Sequence, residues 1–171
     1  TGACRIWRAK CWRCWPAQIE QLEGAVAALE KQLIAWHKSN PVSQRLASVP
    51  GIGPIIATAI AATVTEPSGF RSGREFAAWL GLVPRQNSTG GKNRLGRISK
   101  RSNQYLRRLL SNGASANLLR SKATNADPWV IGLRRRRPSL VVAVALANKT
   151  ARIAWAVMHR QENYRRVAAA A

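Results

Sequence analysis

The sequence is short of acid. Across 171 residues it has 7 Asp and Glu against 28 Lys and Arg, a formal net charge of +21. Those few carboxylates stand apart: Glu20, Glu23 and Glu30 fall in one helical stretch, and Glu66, Glu75, Asp127 and Glu162 are scattered singly. Two-metal chemistry needs converging oxygen ligands, so the sequence predicts no metal centre and no cofactor in this chain. Cysteine is scarce too. Cys4, Cys11 and Cys14 are too few and too bunched to staple a fold, which points to a reducing compartment. Cys11 and Cys14 also lack a fourth ligand nearby for zinc. His37 and His159 stand alone on helical stretches and read as solvated or core side chains rather than catalytic bases. Long apolar runs are missing: residues 55–64 and 140–147 fall short of the roughly 20 residues that cross a bilayer. No apolar stretch follows Arg5, Arg8 and Lys10, so no secretory leader is expected, and the chain reads as cytoplasmic.

What is present is an apolar fraction of 46%, enough for a core, and a large surplus of cations. The first argues against wholesale disorder. The second favours a polyanionic partner, nucleic acid before a membrane surface.

Residues 1–18 mix Trp7, Trp12 and Trp15 with Arg5, Arg8, Lys10 and Arg13 without helical or strand periodicity, and read as a disordered or non-native segment. From Ile19 the pattern is regular. Ile19, Leu22, Val26, Leu29, Leu33 and Trp36 recur at alternating spacings of three and four, predicting a coiled-coil-like helix over 19–40. It is either an amphipathic helix packed on its own domain or, through 19–36, the seam of a homodimer. Asn40-Pro41 ends it. The domain expected over 41–164 is all-α, with residues 165–171 a frayed tail. Pro54 suits a helix start, Ser72 or Gly73 begins another, and Ser99 or Ser102 caps a third through Tyr105, Leu106, Leu109 and Leu110. Residues 84–97 lack apolar periodicity and read as a glycine loop. Residues 140–160 form the final helix, where Ala143, Ala147 and Ala151 permit close approach. Trp79, Trp129 and Trp155 are assigned to the core.

Two stretches suggest phosphate binding. Val49-Pro50-Gly51-Ile52-Gly53 with Ala57, Ala59 and Ile60 beyond matches a helix-hairpin-helix pattern, in which Gly51 and Gly53 open backbone N–H groups to a phosphate. The alternative is a plain αα-corner. The second stretch runs from Arg85 through Gln86, Asn87, Ser88, Thr89, Gly90, Gly91 and Lys92 to Arg94, Arg97, Lys100, Arg101, Arg107 and Arg108. It holds no acidic residue. Cations so placed would draw a phosphodiester toward the Ser88 or Thr89 hydroxyl and stabilise charge on its oxygens; the alternative is a solvated loop that touches backbone phosphates only. Lys149 and Arg152, three apart, share a helix face and either add a phosphate contact or lie over Trp155. The run of arginines at 134–137 fits a phosphate backbone or a solvated turn equally.

In order and spacing, Ser48-Val49-Pro50-Gly51-Ile52-Gly53-Pro54, Phe70-Arg71-Ser72-Gly73-Arg74-Glu75-Phe76, Ala77-Ala78-Trp79-Leu80-Gly81-Leu82-Val83-Pro84, the basic loop, Tyr105-Leu106-Arg107 and Asn148-Lys149-Thr150-Ala151-Arg152 resemble one known family. It is the C-terminal domain (transposase family 20) of the DEDD-type insertion-sequence transposases, the 110/1111 group. The resemblance covers nearly everything from Ile19 to Tyr164. It implies DNA recombination by two domains joined through a helical coil. An N-terminal RuvC-like domain carries four acidic ligands for divalent metal, and the C-terminal domain supplies a serine that attacks DNA. Some members are guided by a bridge RNA, and a bacterial, nucleoid-associated setting follows. The serine precedes glycine after the Pro-Arg pair, which ranks Ser88 first and keeps Thr89 open. The RuvC-like part has no counterpart in this sequence, so the resemblance predicts a half-enzyme that binds nucleic acid without cutting it alone. The competing expectation is a non-catalytic nucleic-acid-binding module.

Overall fold

The computed structural model describes residues 3–87, 91–92, 94–120 and 127–165, with side chains from Trp15 onward. Helix α1 (Ala3–Ser39) is followed by α2 (Pro41–Ala47), α3 (Pro54–Thr63), a 3-10 turn (Pro67–Gly69) and α4 (Gly73–Trp79). A hairpin of β1 (Pro84–Gln86) and β2 (Leu95–Ile98) leads to α5 (Gln104–Arg120), α6 (Pro128–Arg134) and α7 (Ser139–Arg160). The helical reading of the chain therefore holds, with one exception: the stretch read as a loop contains paired strands. Both are short and exposed, so neither carries the period-two alternation that half-burial imprints on a strand.

Helix boundaries follow local chemistry. Asn40 accepts hydrogen bonds from the Val42 and Ser43 N–H groups at 2.9 and 3.0 Å, so the residue that ends α1 also starts α2. Pro41, Pro54 and Pro128 open their helices in the first turn, where a missing N–H costs nothing. Ser72 Oγ accepts from Glu75 N–H at 3.3 Å, while the Glu75 carboxylate accepts from Arg71 N–H at 2.7 Å, a reciprocal cap of α4. The start of α5 differs from expectation. Its cap is Asn103, whose Oδ1 accepts from Leu106 N–H at 3.0 Å, not Ser99 or Ser102. Where no helical spacing was expected before Ile19, α1 runs from Ala3 straight through Pro16. Interspersed tryptophans and arginines hide a helix from a periodicity test without forbidding one.

The core lies around α7, which packs against α5 and α4 and more lightly against α2 and α6. Ala143, Ala147, Ala151 and Ala154 on α7 are buried, as small residues at a close crossing should be. Phe76, Leu80, Leu82, Leu106, Leu110, Ile60 and Val142 are almost wholly buried, each worth about 1.5–3 kcal/mol relative to exposure. Phe70, Phe76 and Trp79 form an aromatic cluster with ring centroids 5.2–5.8 Å apart. Trp155 donates its indole N–H to the Pro67 carbonyl at 3.0 Å, fixing the 3-10 turn to α7. By length and composition α7 also suffices to cross a bilayer, contrary to the reading of its apolar run as too short. It is nonetheless the helix the domain packs around.

Helix α1 behaves differently. Residues 15–32 are exposed throughout, including Ile19, Leu22, Val26 and Leu29; burial begins only at Leu33. Its end is tied down by the 2.6 Å hydrogen bond between His37 Nδ1 and Ser43 Oγ. At the other end of the chain Tyr164 N–H donates to Ser48 Oγ at 2.9 Å. The tail assigned to 165–171 lies, beyond residue 165, outside the described residues.

Candidate nucleic-acid interface

The hairpin is positioned by what precedes it. Gly81 adopts φ +71, and a Cβ there would lie 2.5 Å from the Arg101 carbonyl oxygen and 2.8 Å from the Arg101 backbone nitrogen. The two ends of the hairpin can therefore meet only across a glycine. Lys100 N–H donates to the Gly81 carbonyl at 3.2 Å, and Ser99 N–H to the Val83 carbonyl at 2.9 Å. Beyond these, Pro84 pairs with Ile98 and Gln86 with Leu95, so β2 has one residue more than β1 between the two pairs. Such a bulge twists the strand and re-aims its side chains near Gly96 and Arg97. Asn148 on α7 donates its side-chain N–H to the Leu82 carbonyl at 3.2 Å, clamping the base of the hairpin to the central helix.

Between hairpin and α7 lies an open groove of about 1750 Å³. Arg74 from the start of α4, Arg97 and Lys100 from the hairpin, and Lys149 and Arg152 from α7 all line it. Among the described residues, no Asp or Glu lines it, although Asp127 pairs with Lys149 beside it. Its apolar lining includes Leu95, Trp129, Leu140, Val141, Val144 and Ile153. The volume exceeds the roughly 300–1,000 Å³ of small-molecule sites.

The sequence-predicted residues thus divide. Arg97, Lys100, Lys149 and Arg152 come together. Arg85, Lys92 and Arg94 are exposed on the same hairpin, and Arg101 is exposed just beyond it. Arg85 is partly engaged, donating to the Ser99 carbonyl across the hairpin at 3.1 Å. Gly91 has φ +77, and no described atom lies within 4 Å of the place a Cβ would occupy. Ser88, Thr89 and Gly90 lie outside the described residues.

Arg107 corrects the sequence reading. It is only 9% exposed, and its guanidinium donates to the Leu80 carbonyl at 3.1 Å and the Arg101 carbonyl at 3.2 Å. Its guanidinium is engaged in tying α5 to the two ends of the hairpin. Lys149 is also committed. It pairs with Asp127, the residue that caps α6 by accepting from Trp129 N–H at 2.9 Å, and its Nζ lies 4.9 Å from the Trp129 ring centroid. The expected neighbour, Trp155, instead stacks on His159 with centroids 4.8 Å apart. Trp129 is 44% exposed and faces the groove, so its assignment to the core was wrong. Arg74, Asn148 and Trp129 were not picked out as functional from the sequence. A basic residue in the first turn of a capped helix carries no signal of the groove it borders.

Gly51 and Gly53 belong to a separate place. Gly51, at φ +90, packs on α5, and a Cβ there would sit 3.3 Å from the Gly113 carbonyl oxygen. In return, a Cβ on Gly113 would overlap the Gly51 oxygen. Gly51 thus serves a close backbone crossing between the α2–α3 turn and α5. Gly53, exposed, precedes α3 and has open space around it. Neither glycine lines the groove.

Among the described residues, no three His, Cys, Asp or Glu side chains converge.

The profile of the Transposase IS116/IS110/IS902 family matches residues 43–129. The chain is 53% identical over 151 residues to a probable family 20 transposase of Pseudomonas aeruginosa, covering 86% of this chain and 44% of that protein. It is 41% identical over 151 residues to the putative transposase y4pF/y4sB of Sinorhizobium fredii, covering 86% and 39% respectively. To the transposase for insertion sequence element IS1111A of Coxiella burnetii it is 40% identical over 154 residues, covering 89% and 42%. The chain therefore spans less than half the length of these relatives. With the matched segment running from α2 into α6 and containing the hairpin, the chain belongs to the Transposase IS116/IS110/IS902 family.

Proposed function

We propose that this chain is the DNA-binding, strand-attacking half of an insertion-sequence transposase. The observation that carries the reading is the groove, where three separate elements contribute basic side chains and no acidic one. Backbone phosphates supply most of the affinity in such sites, without sequence preference. The exposed Arg85, Lys92, Arg94 and Arg101 extend the cationic surface along the hairpin.

In this reading the segment between Gln86 and Lys92 presents Ser88 to a phosphodiester, with Thr89 as the second candidate. The hydroxyl gives up its proton to solvent and its oxygen bonds to phosphorus, as the bond from phosphorus to a deoxyribose oxygen breaks and that oxygen leaves as a hydroxyl by taking a proton from solvent; the basic side chains of the hairpin stabilise charge on the phosphoryl oxygens. The chain is inactive alone, and the metal ligands belong to a RuvC-like domain. Through the exposed Ile19, Leu22, Val26 and Leu29, α1 makes a helical seam with a second copy. The N-terminus of α3 at Gly53 adds a phosphate contact, and a guide RNA shares the basic surface. The working compartment is the bacterial cytoplasm, at the nucleoid. A second reading is a non-catalytic nucleic-acid-binding module, which the same basic groove would serve without any hydroxyl attack.

The test joins the chain to a RuvC-like domain and assays covalent protein–DNA product on denaturing gels. Ser88→Ala abolishes the product while DNA binding persists. Product formed at parental levels by Ser88→Ala moves the nucleophile to Thr89; product formed by neither parent nor variant supports the binding module.

A further inference from the structure

The groove has more apolar surface than phosphate binding uses. Leu140 is 78% exposed, Leu95 72%, Val141 50% and Trp129 44%, and all four line it. Duplex DNA offers an outer surface of phosphates and sugars, which would satisfy the cations and leave this floor bare. An unpaired strand offers both things at once: phosphates for the rim and flat base faces for the floor.

We propose that the groove between the hairpin and α7 binds single-stranded nucleic acid, with Trp129 as its base-stacking platform. This rests on the reading that the chain binds nucleic acid, and names the form it takes here. Three features support it. Charge complementarity comes first: Arg74, Arg97, Lys100 and Arg152 border the groove, and among its described lining residues there is no carboxylate, the nearby Asp127 being paired with Lys149. Second, the indole is held in place rather than loosely displayed. Asp127 accepts from the Trp129 backbone N–H and also pairs with Lys149, whose ammonium lies over the indole ring. Third, the groove is of a size suited to several nucleotides rather than to one small ligand. Stacking on an aromatic ring tolerates any base, so little sequence preference is expected.

The experiment measures fluorescence anisotropy of a labelled 12-nucleotide single strand and of its duplex, with the full chain. The parent binds the single strand at least as tightly as the duplex. Trp129→Ala weakens the single strand roughly tenfold, in keeping with the loss of one stacked base, and leaves the duplex within twofold. Trp129→Phe, which keeps a stacking ring and guards against misfolding, restores most of the affinity. Arg97→Ala weakens both forms. The proposal is overturned if Trp129→Ala changes neither affinity, if it weakens both equally while Trp129→Phe behaves as the parent, or if the parent prefers anionic vesicles to single strands. Failure of the parent to bind either nucleic acid would instead overturn the nucleic-acid reading itself.

Discussion

The two glycine turns look alike in the sequence and do different work. At 49–53, Gly51 takes a left-handed conformation against α5 and meets Gly113 backbone to backbone, so this glycine is used up in packing. At 81–100, Gly81, at positive φ, closes the neck of a hairpin whose Arg97 and Lys100 border a groove. A glycine beside basic residues therefore says only that the backbone comes close to something. Whether that something is a helix, the other end of a loop or a phosphate is settled by the elements packed behind it. The arginines repeat the lesson: Arg97 is exposed at the groove, whereas Arg107 lies buried with backbone carbonyls as its partners.

The contrast can be broken at chosen points. The largest effect is expected at the neck. Gly81→Ala places a methyl against the Arg101 backbone at a positive φ, which should cost about 3 kcal/mol or more, read as a lowered midpoint in denaturant unfolding. A cost below about 1 kcal/mol would mean the neck is looser than described. Arg107→Ala comes next. Loss of its hydrogen bonds to the Leu80 and Arg101 carbonyls should destabilise by about 1–3 kcal/mol, while DNA affinity measured well below the unfolding transition stays within twofold. A large loss of affinity in a folded variant would return Arg107 to the phosphate-binding set. The smallest effect is expected at Gly53, which has open space and an ordinary φ of −88: Gly53→Ala should leave stability within about 0.5 kcal/mol. If it lowers DNA affinity severalfold without that stability cost, the N-terminus of α3 holds a phosphate.

Much of the fold was legible because local chemistry marks helix ends. Asn40-Pro41, Pro54 and Ser72 stand at boundaries that the structure keeps. The alanines of α7 announced a close crossing. The hairpin was not legible, since strands of three and four exposed residues have no buried face to pattern them. The α1 extension to Ala3 was hidden because the tryptophans and basic residues before Ile19 follow no helical spacing in the sequence. For the interface, composition located the cations but not their partners. Arg107 and Arg97 are chemically identical in the sequence; only the crossing of α5 with the Gly81 neck buries one of them. Trp129 was misplaced because size and apolarity normally put an indole in the core, and nothing local reveals that α6 sets it beside an open groove.

The most direct test is the salt dependence of DNA binding by the parent and by Arg97→Ala/Arg152→Ala, both substitutions lying on the groove. Each neutralised phosphate contributes about 0.9 to the slope of log affinity against log salt. The parent should show a steep slope, and the double variant a slope lower by about 2 with unfolding midpoint unchanged. A parental slope near zero, or a double variant with the parental slope, would contradict the groove as the phosphate-binding face.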